Sequence, residues 1–196
     1  MDGDRVQGRP WVWFGGRPAI DFANTVRERA TAWRDLLETP ADLAGWFVAA
    51  GIGDRPLTVD DELLTRAREL REAIDQGIRA ILLEEDFPPA SEQIINAWLV
   101  RAVGNPPHLD TSQRVPVLRT LTTTPSDAHG ALCRIALDAA ELIGTDARAT
   151  IRVCASAPCN ALFVDKSAGR RRRWCSMATC GNRAKAAQFR RSATNR

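Results

Sequence analysis

The 196-residue chain has no tyrosine and only two histidines, His108 and His129. That excludes phenol chemistry and leaves little general acid–base capacity near neutral pH. His108 falls in an expected loop and His129 at an expected helix start, so both read as incidental. Residues 1–149 contain no glycine-rich phosphate loop and no serine elbow. The chain is therefore not expected to be an enzyme. No run approaches the roughly 20 apolar residues of a spanning helix, and the longest apolar stretches, such as residues 44–52, contain glycine. No membrane role is expected. The opening MDGDRVQGRP lacks an apolar segment and carries early acids, so no secretory signal and a cytoplasmic location are expected.

Acids are the last shortage, and it is local. From Thr150 to Arg196 eleven Lys and Arg stand against the single acid Asp165, a net charge of +10. Residues 1–149 hold 16 basic and 23 acidic side chains, or −7, so the overall +3 conceals a polar molecule. Such a division separates a basic, polyanion-facing module from an acidic body.

The composition, 44% hydrophobic and 26% charged, is that of a folded globular chain. Residues 9–16 read as a short strand closed by a glycine turn. Residues 19–37 carry an interrupted helical stripe of Phe22, Val26, Trp33 and Leu36/Leu37. A short helix over 40–50 starts at Pro40, buries Leu43, Trp46 and Phe47, and stops at Gly51. The strongest helical spacing is over 59–83, where Leu63, Ala67, Leu70, Ile74, Ile78 and Ile81 recur at three- and four-residue steps after a Thr58 cap. A helix over 91–103, a β-hairpin within 106–124 with Pro116 on an edge, and a helix over 126–143 capped at Ser126 complete the body. Trp33, Trp46, Trp98 and Cys133 read as core. The fold class is α+β: a mainly helical N-terminal domain over 1–146 with a small antiparallel sheet, followed by a C-terminal module over 147–196.

That module contains four of the five cysteines, as Cys154-x4-Cys159-x15-Cys175-x4-Cys180. A strand over 151–153 precedes the first pair, a hairpin of 162–165 with 172–174 separates the pairs, and a helix over 176–190 follows. Its apolar residues are too few for a self-sufficient core, and so small a module needs a staple. Two close thiol pairs suit one tetrahedral zinc, with Pro158 stiffening the first turn and helix-start amides donating to the second pair. Gly181 lets the backbone lie close to the metal. Disulfides would need an oxidising compartment that nothing indicates. One structural zinc per chain is expected, held by Cys154, Cys159, Cys175 and Cys180.

The run Arg171-Arg172-Arg173-Trp174-Cys175-Ser176-Met177-Ala178-Thr179-Cys180-Gly181-Asn182-Arg183-x-Lys185 resembles the CGNR-type zinc finger found at the C-terminus of a bacterial family of stress-induced transcription regulators. The Cys154–Cys159 turn and Phe163-Val164-Asp165 resemble it too. Ala19-Ile20-Asp21-Phe22-Ala23-Asn24-Thr25 resembles the start of that family's ABATE domain, with Ile20 where Leu is expected. The resemblance implies zinc on the four cysteines in a treble-clef-like arrangement and a DNA-binding regulatory role.

Arg170, Arg171, Arg172, Arg173, Arg183, Lys185, Arg190 and Arg191 are the candidate nucleic-acid contacts, with DNA the expected partner ahead of RNA. Asn182, Ala186 and Phe189 are expected to pack on the hairpin. Trp174 is expected to pack across the metal, and Asn182 to bond locally. In the body, Asp21 and Asn24 with Trp11 and Trp13 are candidates for a small-molecule effector pocket, against a plain helix-capping role for the first two. A single finger gives a small interface, so specificity points to a homodimer. The alternative is a zinc-stapled module that binds RNA or a protein without reading DNA sequence.

Overall fold

The computed structural model describes residues 5–6, 9–103, 108–110, 117–119 and 127–194. Strands β1 (Arg5–Val6) and β2 (Arg9–Pro10) pair antiparallel. Beyond them 11–14 form no strand, and the chain bends at Gly15 and Gly16, the latter at φ +77°. Helix α1 (Pro18–Ala23) begins with proline at its first turn, and its Ala19 amide donates to Asp138 Oδ2 at 2.9 Å. It is only six residues long. The expected stripe over 19–37 breaks after Ala23, where Asn24 leaves the helix and the chain forms the hairpin β3 (Val26–Arg27) and β4 (Arg34–Asp35). Trp33 is at the tip side of this hairpin at φ +30° and is 55% exposed, with the Arg29 guanidinium 5.2 Å from its ring. The core assignment for Trp33 is therefore wrong, whereas Trp46 and Trp98 are buried.

Helix α2 (Pro40–Ala49) matches its expected span and is held by a reciprocal capping box between Thr39 and Asp42. Gly51 follows at φ +66°, a conformation that other side chains resist. Helix α3 (Asp61–Leu82) is capped by Asp60, which accepts from the Leu63 amide at 2.7 Å; Thr58 is not the cap. Its apolar stripe is buried from Leu63 to Ile78. Helix α4 (Pro89–Val103), the antiparallel pair β5 (His108–Asp110) and β6 (Val117–Arg119), and helix α5 (Ala128–Gly144) follow as expected. The α5 cap is Asp127, accepting from the Gly130 amide; the Ser126 cap and the Pro116 edge lie outside the described residues.

Helix α3 packs on α1, α2, α4 and α5, and α4 packs on α5. This mainly helical body thus encloses one core, and Cys133 is buried in it with its thiol pushed up in pKa by burial. The same core continues into the C-terminal segment. Strands β7 (Ile151–Val153) and β8 (Leu162–Val164) pair antiparallel, and Ile151, Leu162 and Val164 belong to the body's apolar cluster. A π-helical turn (Met177–Gly181) then leads into α6 (Asn182–Thr194). Among the described residues no helix is long and apolar enough to cross a membrane.

Candidate metal centre and the basic surface around it

Strand β8 pairs back with β7, in the register Ile151↔Val164, Arg152↔Phe163 and Val153↔Leu162. The eight residues between the strands, 154–161, are therefore the tip of a hairpin. The Cys154 amide donates to the Ala161 carbonyl at 2.8 Å, and the Cys159 amide to the Ser156 carbonyl at 2.8 Å, with Pro158 inside that turn. Both cysteines consequently face one point. The expected pairing of 162–165 with 172–174 does not form. Asp165 ends the strand: its carboxylate accepts from the Ser167 amide and hydroxyl at 2.9 and 2.6 Å and from the Arg172 amide at 2.8 Å. These bonds, the Ser167 hydroxyl first, hold its pKa below the usual carboxylate range and curl 166–171 into a loop.

The second cysteine pair is set by the π-helical turn. Its i→i+5 bond, from the Gly181 amide to the Ser176 carbonyl at 3.0 Å, widens the first turn. Cys175 and Cys180, five positions apart, then face the same side with sulfurs 3.8 Å apart. Gly181 also has a close neighbour within this turn. A Cβ there would meet the Met177 sulfur at 2.6 Å, so the absent side chain makes room for Met177.

All four sulfurs lie within 4.8 Å of one another, and all four cysteines are buried. Cys159 and Cys175 are 3.6 Å apart at sulfur, and the Cys175 amide donates to the Cys154 sulfur at 3.5 Å. A tetrahedron with metal–sulfur bonds of about 2.3 Å has edges of about 3.8 Å, so the thiols are already spaced for one ion. Their electrostatics point the same way. The hydrogen bond from Cys175 pulls the Cys159 thiol down to about 5. The same bond and burial push Cys175 up, and burial followed by the bond to Cys159 pushes Cys180 up. Four thiolates cannot coexist in so small a buried space without a cation, and four sulfur donors are the set of a structural zinc. Such an ion ties the hairpin tip to the start of the helix and leaves no open position for catalysis.

Around the thiols lies a small second core of Ala161 and Phe163, with Phe14 and Trp174 packed on it. Trp174 thus packs rather than projects. Arg172, one of the predicted contact residues, is exposed but braced: its guanidinium lies 4.9 Å from the Phe163 ring centre and donates to the carbonyls of Trp174 and Cys175. Arg170, Arg171 and Arg173 are exposed on the loop, Arg173 over the Trp174 ring. Arg183, Lys185, Arg190 and Arg191 are exposed on α6. Asn182 bonds locally, donating to the Ala178 carbonyl at 3.2 Å. Phe189 does not pack on the hairpin; it is 77% exposed.

The four body residues considered for an effector pocket have mainly structural tasks. Trp11 is buried, and Trp13 lies 5.9 Å from the Trp46 ring centre. Asp21 Oδ1 accepts from the Gly15 amide at 2.7 Å. Asn24 is fully engaged: its amide donates to the Leu162 carbonyl at 2.8 Å and accepts from the Leu162 amide at 3.0 Å. No sequence signal within either segment reveals this bridge, which spans 138 positions. The Gly15 carbonyl accepts from the Val164 amide at 2.8 Å, and Arg79 donates to the Asn160 carbonyl at 3.1 Å. The metal-site hairpin is thus bonded to α1, to the Gly15 turn and to α3. Replacing Asn24 with alanine orphans two buried backbone groups of Leu162, so a loss of roughly 2–4 kcal/mol is expected. Urea denaturation of the variant measures it; a change under about 0.5 kcal/mol would show the bridge to be idle.

Two family models match the chain. The ABATE model, described as "Putative stress-induced transcription regulator", matches residues 16–146, and the CGNR zinc finger model matches residues 150–193. Neither is a family of enzymes. Among curated proteins the chain has no match.

Proposed function

Since the chain belongs to the ABATE family and its C-terminal segment to the CGNR zinc fingers, we propose that it regulates transcription by binding nucleic acid, DNA ahead of RNA, through the metal-supported basic segment. The observation that carries this reading is the fate of the segment's single acid. Asp165 is buried and spends its carboxylate on organising the loop that displays Arg170, Arg171 and Arg173. From Thr150 onward the sequence holds no other acid, while Arg170, Arg171, Arg173, Arg183, Lys185 and Arg191 are exposed. A rigid scaffold that buries its acid and displays its arginines suits a phosphate backbone. Five or six phosphate contacts are drawn from the eight candidates, Arg172 also bracing the loop through the Trp174 and Cys175 carbonyls.

Titration of a fluorescent duplex with the zinc-loaded chain tests this. Five or six phosphate contacts give a slope of log K against log salt of about −5, and Arg171→Ala and Arg183→Ala should each reduce its magnitude by about 1. A slope near zero removes the phosphate-contact model. Selection from genomic fragments then separates the two kinds of binder. Enrichment of one sequence supports the regulator, whereas uniform salt-sensitive retention reduces the role to general binding.

A further inference from the structure

Helix α6 is unusual in what it leaves uncovered. Of its described side chains only Ala184 and Ala187 are half-buried, and the rest face solvent. On a helical wheel the face opposite those two alanines centres on Phe189 and Asn182. Arg183 and Arg190 flank it on one side and Lys185 on the other, with Ala186 between. Phe189 is 77% exposed at its centre. The helix carries four cations and no acid. A protein partner would suit an apolar stripe, but here one aromatic ring is bordered by positive charge. That arrangement fits a surface with anionic edges and an apolar feature in a trough between them.

From this geometry we propose that α6 is the element that enters the major groove of duplex DNA, and that Phe189 makes an apolar contact with a thymine methyl group. The inference rests on the nucleic-acid reading above and adds to it the reading element and a base preference. A groove about 12 Å wide accepts one helix of about 10–12 Å diameter. In that position Arg183, Arg190 and Lys185 face the phosphates on either side, while Phe189 faces the base edges. The thymine methyl is the one apolar group displayed in that groove, and phenylalanine is among the side chains that contact it. RNA lacks this methyl group and presents a deep, narrow major groove that side chains cannot read. Phe189 would therefore itself favour DNA.

The test uses the full zinc-loaded chain and the best-retained duplex from fragment selection, in thymine form and with every thymine replaced by uracil. Wild type is expected to bind the uracil duplex about fourfold more weakly, the affinity equivalent of one buried methyl group. Phe189→Ala should bind both duplexes equally, near the wild-type affinity for the uracil form, with an unchanged salt slope. Because Phe189 is exposed, the variant should keep its zinc content and melting temperature, and both are measured as controls. Equal wild-type affinity for the two duplexes, or discrimination that survives Phe189→Ala, overturns the proposal. If salt-dependent binding persists in that case, the phosphate reading stands alone. If no duplex binds, both fall.

Discussion

Stripping the metal, or replacing Cys175 with serine, is expected to destabilise the whole chain rather than free its last fifty residues. The small core around the thiols consists of Ala161 and Phe163 with Phe14 and Trp174 at its edge, too little to hold 154–180 in place unaided. Structural zinc in comparable peptides contributes about 10–16 kcal/mol, all of it folding free energy. The loss does not stop at the cysteines. Ile151, Leu162 and Val164 are part of the body's core, and Asn24 is bonded to Leu162 on both sides. Withdrawing three buried aliphatic side chains removes roughly 5–9 kcal/mol of burial, comparable with the 5–15 kcal/mol that a whole domain commands. A chelator strong enough to take the ion should therefore produce one cooperative transition. Zinc release read by a chromophoric chelator, helix content, and the melting of the body followed by calorimetry should coincide. If the body kept its helix content and its melting temperature after zinc release, the shared core would be energetically unimportant and this account would fail.

The same junction marks the limit of what the sequence reveals. Helices α2 and α3 are legible because proline, Thr39 or Asp60, and an apolar spacing of three and four all act within one segment. The cysteine quartet is legible for a related reason, since one ion fixes the donor type and needs two close pairs. Misreadings arise where a distant partner decides. Phe22, Val26, Trp33 and Leu36 have helical spacing, yet the helix ends where Asn24 turns to Leu162, and Trp33 becomes the exposed side of a hairpin. Within the finger, 172–174 have the residues of a strand, but Asp165 closes a loop before they can pair with β8. The arginine run reads as uniform in sequence. The structure divides it, because Arg172 is held by carbonyls and a ring that only the folded loop brings to it.

Asp21 gives a second large effect, with a definite pH signature. Burial raises its pKa from 3.8 to about 7; the Gly15 amide opposes this and the negative charge of Asp138 adds to it. Between roughly pH 4 and 7 the folded chain therefore holds a proton that the unfolded chain has released. The stabilisation from this group is complete below about pH 4 and is lost as pH rises through about 7. A shift of some three units corresponds to about 4 kcal/mol as an upper figure. Asp21→Asn keeps an oxygen to accept from Gly15 but carries no charge to desolvate. The variant is expected to be more stable than wild type at pH 8, by up to that amount, with the difference shrinking steadily towards pH 4. Urea midpoints at intervals across this range measure the gap; a gap independent of pH, or a variant less stable at pH 8, would show that the carboxylate is not strained. The location makes the result informative beyond one residue. The Gly15 amide that donates to Asp21 belongs to the same residue whose carbonyl accepts from Val164 in β8. A carboxylate that is costly to ionise therefore lies one residue from the strand that carries the metal-site hairpin, and neutralising it should raise the temperature at which zinc is released at pH 8 as well as the melting point of the body.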